Sequence, residues 1–265
     1  MIAPFEVFAL NYARHGGRSG ADNFLGGDPH EAGADLAYYV WVLRRADRLF
    51  LIDTGFGPQA AQARGRHLLH RPRDLLAHLG LQAASITDVV LTHVHYDHAG
   101  TLEDFPKATF HVQEAEMAFA TGRCMCEPSQ RAAYDVEDVV RMLRLIYGGR
   151  VVFHAGDAEL CEGVTLHHIP GHTAGLMAVR VWTRRGWVVL ASDASHLYEN
   201  LTSARPFSIV QDAGAQMEGF RRLFALGGST TNIVPGHDPL VIQQYPSFAG
   251  SPDILALHEA PKFIV

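Results

Sequence analysis

Four apolar segments of the chain each run directly into a polar stretch that carries histidine or aspartate. They are DVVLTHVHYDHAG (88–100), LHHIPGH (166–172), GWVVLASDASHLYE (186–199) and NIVPGH (232–237). Short apolar runs rich in β-branched residues predict strands. Binding sites in α/β sheets collect at the carboxyl ends of strands. The chain is therefore expected to bring candidate ligands to a site from the ends of four strands.

The remaining sequence predicts a mixed α/β chain. Helical spacing of apolar residues predicts helices at 73–79, 113–121, 136–147 and 213–226. Strands are expected at 5–10, 37–43, 49–52, 88–91, 151–153, 164–169, 177–182, 187–191 and 232–234. The Gly-rich segment 16–33 is expected to be a loop, either at the mouth of a site or on the plain surface. No Pro-, Gly- or Ser-rich linker divides the chain, so one domain spanning residues 1–265 is expected.

Composition excludes some classes of partner. Hydrophobic residues make up 48% of the 265 residues, and the formal net charge of −6 argues against a nucleic-acid partner. The start MIAPFEVFAL lacks the basic region of a secretory signal peptide, and no apolar run reaches the roughly 18 residues of a membrane span. We therefore expect a cytoplasmic protein with no membrane contact. The three cysteines fit reduced thiols in that compartment.

The strongest local signal is the segment His93-x-His95-x-Asp97-His98. Imidazole nitrogens and carboxylate oxygens are ligands for zinc and similar divalent ions. In a regular strand, positions 93, 95 and 97 would share one face. A turn directly after Leu91 would instead let the four side chains diverge toward two metals. The alternative is four polar residues on a solvated loop.

THVHYDH, followed by PGHT (170–173), SDAS (192–195) and PGH (235–237), resembles the metallo-β-lactamase superfamily, and IDTG (52–55) matches that family's first motif. The resemblance implies an αββα sandwich, with two mixed sheets flanked by helices. It also implies that two divalent metal ions, expected to be Zn²⁺, are bound. Asp53 would support the turn that carries the ligands. The implied ligands are His93, His95 and His172 for metal one, Asp97, His98 and His237 for metal two, and Asp193 as a bridge.

Two metal ions about 3.5–4 Å apart can share a water molecule and lower its pKa from about 15.7 to near 7. Attack by that bridging hydroxide suits hydrolysis of a lactone, ester, thioester, amide or phosphodiester, and Asp97 could accept a proton from the water. The chain most resembles the N-acyl homoserine lactonase group, which implies opening of a lactone and a role in quorum quenching. In those lactonases a Tyr follows the DAS segment, whereas here His196 follows it and Tyr198 comes two residues later. His196 and Tyr198 are therefore candidates for assisting the leaving group.

Other readings of the same ligand set stay open. A glyoxalase II-like thioesterase usually adds a basic C-terminal region, whereas residues 243–265 here contain the single Lys262. A mono-iron persulfide-dioxygenase-like enzyme shares much of the ligand set. A non-enzyme binding module would be marked by lost ligands, and all seven positions are filled here. The expected partner is a small-molecule lactone or ester, and the oligomeric state is left open, with a homodimer as one option.

Overall fold

The computed structural model describes residues 2–265. The strands are β1 (Glu6–His15), β2 (Leu36–Arg45), β3 (Arg48–Ile52), β4 (His67–Leu68), β5 (Asp88–Val90), β6 (Thr109–Gln113), β7 (Val151–His154), β8 (Ala158–Cys161), β9 (Val164–His168), β10 (Met177–Thr183), β11 (Gly186–Ser192), β12 (Ile233–Pro235), β13 (Ser247–Phe248) and β14 (Ser251–Ala256). The α-helices are α1 (Gly20–Asn23), α2 (Pro58–Arg64), α3 (Pro72–Ala77), α4 (Tyr96–Ala99), α5 (Glu114–Ala120), α6 (Pro128–Arg131), α7 (Val136–Tyr147), α8 (Tyr198–Thr202), α9 (Ala213–Gly227) and α10 (Leu240–Gln244).

The strands form two mixed sheets. The first has nine strands in the order β13-β14-β1-β2-β3-β5-β6-β7, with β4 beside β1. Its β3, β5, β6 and β7 run parallel, and its other pairs are antiparallel. The second sheet has five strands in the order β12-β11-β10-β9-β8, and only β11 and β12 run parallel. Both sheets therefore offer parallel strands whose carboxyl ends can share an edge.

The sheets pack face to face between two outer layers of helices. Val7 of β1 belongs to the core between the sheets, with Val179 and Leu190 of the second sheet. Phe8, the next residue of β1, belongs to a core that also contains residues of α3, α5 and α7. Phe220 of α9 packs against the outer face of the second sheet. Successive side chains of a strand point to opposite faces, so β1 is buried on both sides. This arrangement confirms the predicted αββα sandwich.

Several elements differ from the sequence prediction. β1 continues to His15 instead of ending at residue 10, because the side-chain amide nitrogen of Asn11 finds an acceptor in Asp253 at 2.9 Å, which lets a polar residue lie within the strand. The short strands β6, β8 and β14 were not predicted. In these three, charged or polar side chains such as His111 interrupt the apolar pattern. The helix predicted at 136–147 has the predicted bounds, and Asp135 caps it by accepting from the amide of Glu137.

Within residues 2–265, no helix combines the length and the apolar character needed to cross a membrane. The extent of the domain over residues 1–265 stays a prediction.

Candidate metal centre

The segment that carries the first four candidate ligands changes direction after β5. β5 ends at Val90, and the helical turn α4 begins at Tyr96, with His95 as the residue before it. His93 and His95 thus lie on an extended loop, whereas Asp97 and His98 lie on the helical turn. The four side chains can therefore point in different directions, as the predicted turn requires.

The other three candidate ligands follow strands of the second sheet. His172 lies in the turn between β9 and β10, Asp193 directly follows β11, and His237 follows β12 after one intervening glycine. The neighbouring Gly236 approaches the Asp193 segment closely. A Cβ atom at position 236 would lie 2.7 Å from Asp193 Oδ1 and from the carbonyl carbon of Ser192. A glycine is therefore required where this turn passes the carboxylate.

Three imidazoles lie close together, and two of them face one carboxylate oxygen of Asp193. The Nδ1 atom of His95 lies 3.0 Å from Nε2 of His93 and 3.0 Å from Nε2 of His172. Asp193 Oδ2 lies 3.2 Å from His172 Nε2 and 3.8 Å from His93 Nε2. These three nitrogens lie close enough together to hold one metal ion.

The second carboxylate oxygen of Asp193 faces the other three side chains. Asp193 Oδ1 lies 3.0 Å from His237 Nε2 and 3.3 Å from His98 Nε2. Asp97 Oδ2 lies 3.8 Å from each of these two nitrogens. Asp97, His98 and His237 therefore form a second group with metal-ligand spacing. Asp193 lies between the two groups, with one oxygen toward each.

The second ring nitrogens of three histidines are held by protein oxygens. His172 Nδ1 lies 2.8 Å from the carbonyl oxygen of Ile209, and His237 Nδ1 lies 3.0 Å from that of Ala37. His98 Nδ1 lies 2.7 Å from Asp53 Oδ2. A proton on Nδ1 would donate to the oxygen in each case, and Nε2 is the ring nitrogen that faces the cluster. Histidines that bind metals are oriented in this way.

Two buried polar atoms of the cluster lack a partner. Within residues 2–265, His98 Nε2 and Asp193 Oδ1 have no hydrogen-bond partner of acceptable geometry, although they lie 3.3 Å apart. Buried polar atoms without partners are costly. A cation between them would satisfy both atoms, and five imidazoles with two carboxylates are a suitable donor set for divalent metal ions. The side chains present therefore fit two metal ions.

The electrostatics of the cluster favour the ligand forms of His93, His95 and Asp193. Burial, followed by the neighbouring imidazoles, lowers the pKa of His93 and His95 well below the ordinary value, so both are neutral. Burial alone would raise the pKa of Asp193, but the surrounding histidines outweigh it and lower that pKa. Burial also lowers the pKa of His98, but the carboxylates, Asp193 first, outweigh it and raise that pKa. The carboxylates around His98 thus favour positive charge at its imidazole.

Asp53, in the IDTG motif, accepts hydrogen bonds from the start of the loop that carries His93 and His95. Its Oδ1 accepts from the Thr92 amide at 2.7 Å, and its Oδ2 accepts from the Thr92 hydroxyl at 2.8 Å. The backbone of Asp53 has a φ of 61°, a left-handed conformation that Asp adopts more readily than most residues. The aspartate thereby holds the start of the ligand loop as well as His98.

His196 contacts the cluster from the cavity side. Its Nε2 lies 3.0 Å from Asp193 Oδ2, and its ring stacks on Phe207 with centroids 3.6 Å apart. Burial lowers the pKa of His196 to about 4, so the ring is neutral, and Nε2 is the ring nitrogen that faces the carboxylate. The geometry fits a residue that positions Asp193.

Tyr198 lies apart from the cavity that holds the cluster. Its hydroxyl group donates to Gln244 Oε1 at 2.6 Å, and its ring is buried in the core between the sheets. The prediction that Tyr198 assists the leaving group does not agree with this placement. The reason is local: α8 begins at Tyr198 and turns the side chain away from His196.

The cluster opens into a cavity of about 400 Å³. Residues from several distant segments line it, including the aromatic side chains of Phe119 and Phe207. Most of the lining residues belong to no recognisable sequence motif. They include Arg18, Arg64, Arg66, Tyr38 and Tyr96.

Glu116, which belongs to no recognisable sequence motif, is buried behind the cluster. Its Oε1 accepts from the Val94 amide at 3.0 Å and from the Tyr134 hydroxyl at 3.2 Å. Its Oε2 accepts from the Thr173 hydroxyl at 2.6 Å and from the Gly175 amide at 3.1 Å. Glu116 thus joins the loop of His93 and His95 to the loop of His172.

Comparison with known proteins identifies related sequences. The sequence profile of the Metallo-beta-lactamase superfamily matches residues 33–237. A probable metallo-hydrolase of Mycobacterium tuberculosis is 33% identical over 188 residues, which cover 61% of this chain and 58% of that protein. The matched region thus spans less than two thirds of the mycobacterial relative.

Two further relatives act on different substrates. An N-acyl homoserine lactonase of Agrobacterium fabrum is 30% identical over 183 residues, covering 63% of this chain and 66% of that protein. An acyl-coenzyme A thioesterase of Gallus gallus is 28% identical over 221 residues, covering 75% of this chain and 71% of that protein. The crystal structure of a quorum-quenching N-acyl homoserine lactone lactonase has the same fold, with a TM-score of 0.74 at 23% identity. The match covers 91% of this chain and 95% of that one.

Proposed function

The chain belongs to the metallo-β-lactamase superfamily, and from this premise we propose that it is a dinuclear metal-dependent hydrolase that opens lactones. The observation that carries the proposal is the position of Asp193. Its Oδ2 faces the group of His93, His95 and His172, and its Oδ1 faces the group of Asp97, His98 and His237. A carboxylate placed between two complete donor groups is suited to bridge two cations.

Two divalent cations, with Zn²⁺ as the proposed metal, would supply an activated water molecule at neutral pH and would polarise the substrate carbonyl. The protein side chains keep the site rigid and largely dry. The histidines are anchored by Asp53, Ile209 and Ala37, and His93 and Asp193 are 0% and 3% exposed. Asp97 is the more accessible carboxylate of the cluster and lines the cavity. We assign to Asp97 the acceptance of a proton from the attacking water.

The choice of a lactone is supported by the lactonase relative and by the shape of the cavity. Phe119, Phe207 and Ile209 line the cavity beside the cluster and provide apolar surface for the carbon skeleton of a small ester. The corresponding substrate hypothesis is an acyl-homoserine-lactone-like compound. Hydrolysis of such a compound would give the protein a role in quorum quenching. His196 occupies the position after the DAS segment, and we assign it the positioning of Asp193.

A thioester is the second candidate, because a relative that matches 75% of this chain is an acyl-coenzyme A thioesterase. Both candidates require the same attack on a carbonyl carbon and differ in the leaving group. A cytoplasmic location and the oligomeric state, including a homodimer, stay predictions.

A substrate panel tests the proposal. The purified, metal-loaded protein is offered lactones of different ring size, acyl-homoserine lactones, S-acyl glutathione and acyl-coenzyme A. Ring opening is followed by acid release, and thioester cleavage by thiol release. We expect kcat/KM to be highest for a lactone. A strong preference for either thioester would replace the lactonase proposal by the thioesterase alternative.

A further inference from the structure

Three arginines line the cavity together with the candidate metal ligands. They are Arg18 in the loop after β1, Arg64 at the end of α2, and Arg66 just beyond it. Among residues 2–265, the only acidic side chains that line this cavity are Asp97 and Asp193, which belong to the cluster itself. The cavity of a chain with a net charge of −6 is thus lined by cationic groups outside the cluster.

None of these guanidinium groups forms an ion pair with a carboxylate. Within residues 2–265, no Asp or Glu carboxylate oxygen lies within 4.0 Å of the guanidinium nitrogens of Arg18, Arg64 or Arg66. Their hydrogen-bond partners are uncharged groups, and Arg18 donates to the side-chain oxygen of Asn23 and to the carbonyl oxygen of Asp22. Arg64 donates to the carbonyl oxygens of Ala132 at 2.9 Å and Tyr134 at 3.2 Å.

Arg18 and Arg66 lie on either side of one imidazole. Arg18 Nη1 lies 3.1 Å from His15 Nδ1, and Arg66 Nη1 lies 3.2 Å from His15 Nε2. Burial, followed by the charges of Arg66 and Arg18, lowers the pKa of His15 to about 4. The ring is therefore neutral and adds no charge between the two arginines.

Each of these two arginines contacts an aromatic side chain that lines the same cavity as the cluster. Arg66 Nε donates to the Tyr96 hydroxyl at 3.1 Å, and Tyr96 directly precedes Asp97. The guanidinium carbon of Arg18 lies 5.4 Å from the ring centroid of Phe207, which stacks on His196. Within residues 2–265, Arg66 Nη2 has no hydrogen-bond partner, so both of its N–H groups are free to donate.

We propose that the substrate carries an anionic oxygen group, a carboxylate or a phosphate, and that Arg66 and Arg18 bind it while the reacting carbonyl lies at the cluster. The proposal rests on the proposed hydrolase function. Arg64 adds positive charge to the same wall. Guanidinium groups match the geometry of carboxylates and phosphates and form charge-assisted hydrogen bonds with them. An unsubstituted, neutral acyl-homoserine lactone would leave the guanidinium groups of Arg18, Arg64 and Arg66 without a counter-charge.

Three matched γ-butyrolactones test the proposal. They carry a carboxymethyl, a phosphonomethyl or a neutral carbamoylmethyl group on the ring. We expect the wild-type enzyme to show a kcat/KM for one anionic lactone that is about tenfold to hundredfold above that for the carbamoylmethyl lactone, since hydrogen bonds to charged groups contribute about 1.5–3 kcal/mol. The preferred anionic lactone distinguishes a carboxylate from a phosphate. Equal kcat/KM values for all three lactones would overturn the proposal.

Variants of the two arginines test whether these residues cause the preference for an anionic lactone. Arg66→Gln and Arg18→Gln are each expected to reduce the ratio of anionic to neutral kcat/KM by about tenfold, mainly through KM. Arg66→Lys, which keeps the charge, should restore part of the ratio. The control Arg48→Gln removes an exposed arginine outside the cavity and should leave the ratio unchanged. A ratio that stays at the wild-type value in both Gln variants, or that falls equally in Arg48→Gln, would contradict the assignment.

Binding measurements separate this proposal from the hydrolase function. If none of the three lactones is opened, the hydrolase proposal fails for this ring, and isothermal titration calorimetry with the intact lactones still tests the arginines. The anionic lactone should then bind the wild type at least about tenfold more tightly than the carbamoylmethyl lactone, and Arg66→Gln should remove this difference. Equal affinities for the anionic and the neutral lactone would overturn the anion-binding proposal on its own.

Discussion

The carboxylate of Asp53 lies 2.7 Å from Nδ1 of His98, and both side chains are fully buried. This pair links the end of β3 to the helical turn α4, because Asp53 directly follows β3 and His98 lies on α4. The same carboxylate accepts two hydrogen bonds from Thr92. The first motif of the chain thus controls the direction of a candidate ligand that lies 45 residues further along the sequence.

Replacement of Asp53 by Asn should weaken metal binding without unfolding the protein. Asn keeps the size of the side chain but loses the charge and one of the two acceptor oxygens. We expect a loss of metal affinity of about tenfold to hundredfold, measured by competition with a chelator. The control Asp47→Asn changes an exposed aspartate beside Arg45. An affinity within twofold of the wild type in Asp53→Asn would show that the pair does not orient His98.

Glu116→Gln tests the link between the two ligand loops. A glutamine offers one acceptor oxygen where Glu116 uses two, so at least one buried donor, such as the Gly175 amide, loses its partner. The free energy of unfolding should decrease by about 2 kcal/mol, measured by urea denaturation. Glu114→Gln lies on the same helix at an exposed position and should change it by less than about 0.5 kcal/mol. Equal decreases in the free energy of unfolding for Glu116→Gln and Glu114→Gln would contradict the role of Glu116 in joining the two ligand loops.

His196→Phe tests the positioning of Asp193. Phe can keep the stack on Phe207 but cannot donate to the carboxylate. We expect kcat to decrease by about tenfold while the metal content per chain stays at the wild-type value, since one charge-assisted hydrogen bond is lost. His30→Phe, at an exposed position, serves as the control. Unchanged kcat would show that Asp193 is held without His196.

The raised pKa of Asp138, a residue outside the cluster, predicts how the free energy of unfolding depends on pH. Burial, followed by the charge of Asp135, raises the pKa of Asp138 to about 7, although Arg141 opposes the shift. A raised pKa means that the folded state favours the protonated carboxyl. This contribution to stability is fully present below about pH 4 and is lost as the pH rises through about 7.

Asp138→Asn removes that titration. Relative to the wild type, the variant should gain about 4 kcal/mol in the free energy of unfolding between pH 4 and pH 8, measured by urea denaturation at both values. The control Glu103→Gln changes an exposed carboxylate that also faces Arg141. Parallel pH profiles for Asp138→Asn and the wild type would contradict the raised pKa.

The sequence could predict the candidate ligands because each lies at the end of a strand in a short local pattern. His93, His95, Asp97 and His98 need only one turn after β5 to diverge, and the structure has that turn. The layers of the fold were also predictable, because the αββα sandwich follows from the resemblance that the same motifs carry.

The cavity wall could not be predicted in this way. Arg18, His15 and Arg66 come from the end of β1 and from the segment after α2, and only the pairing of β4 with β1 brings them together. Glu116 looks like any acidic residue at the start of a helix until its burial is known. The direction of the Tyr198 side chain could not be predicted either, because its distance from His196 along the chain does not indicate which way α8 turns it.

The metal content of the purified protein is the most direct test of the account. Inductively coupled plasma mass spectrometry of the wild type and of two variants counts the ions per chain. We predict close to two divalent ions in the wild type, close to one in His237→Ala, which removes a ligand from one group only, and a further loss in Asp193→Ala, which affects both. A wild-type protein that holds one iron and no second metal would contradict the dinuclear hydrolase and favour the mono-iron alternative.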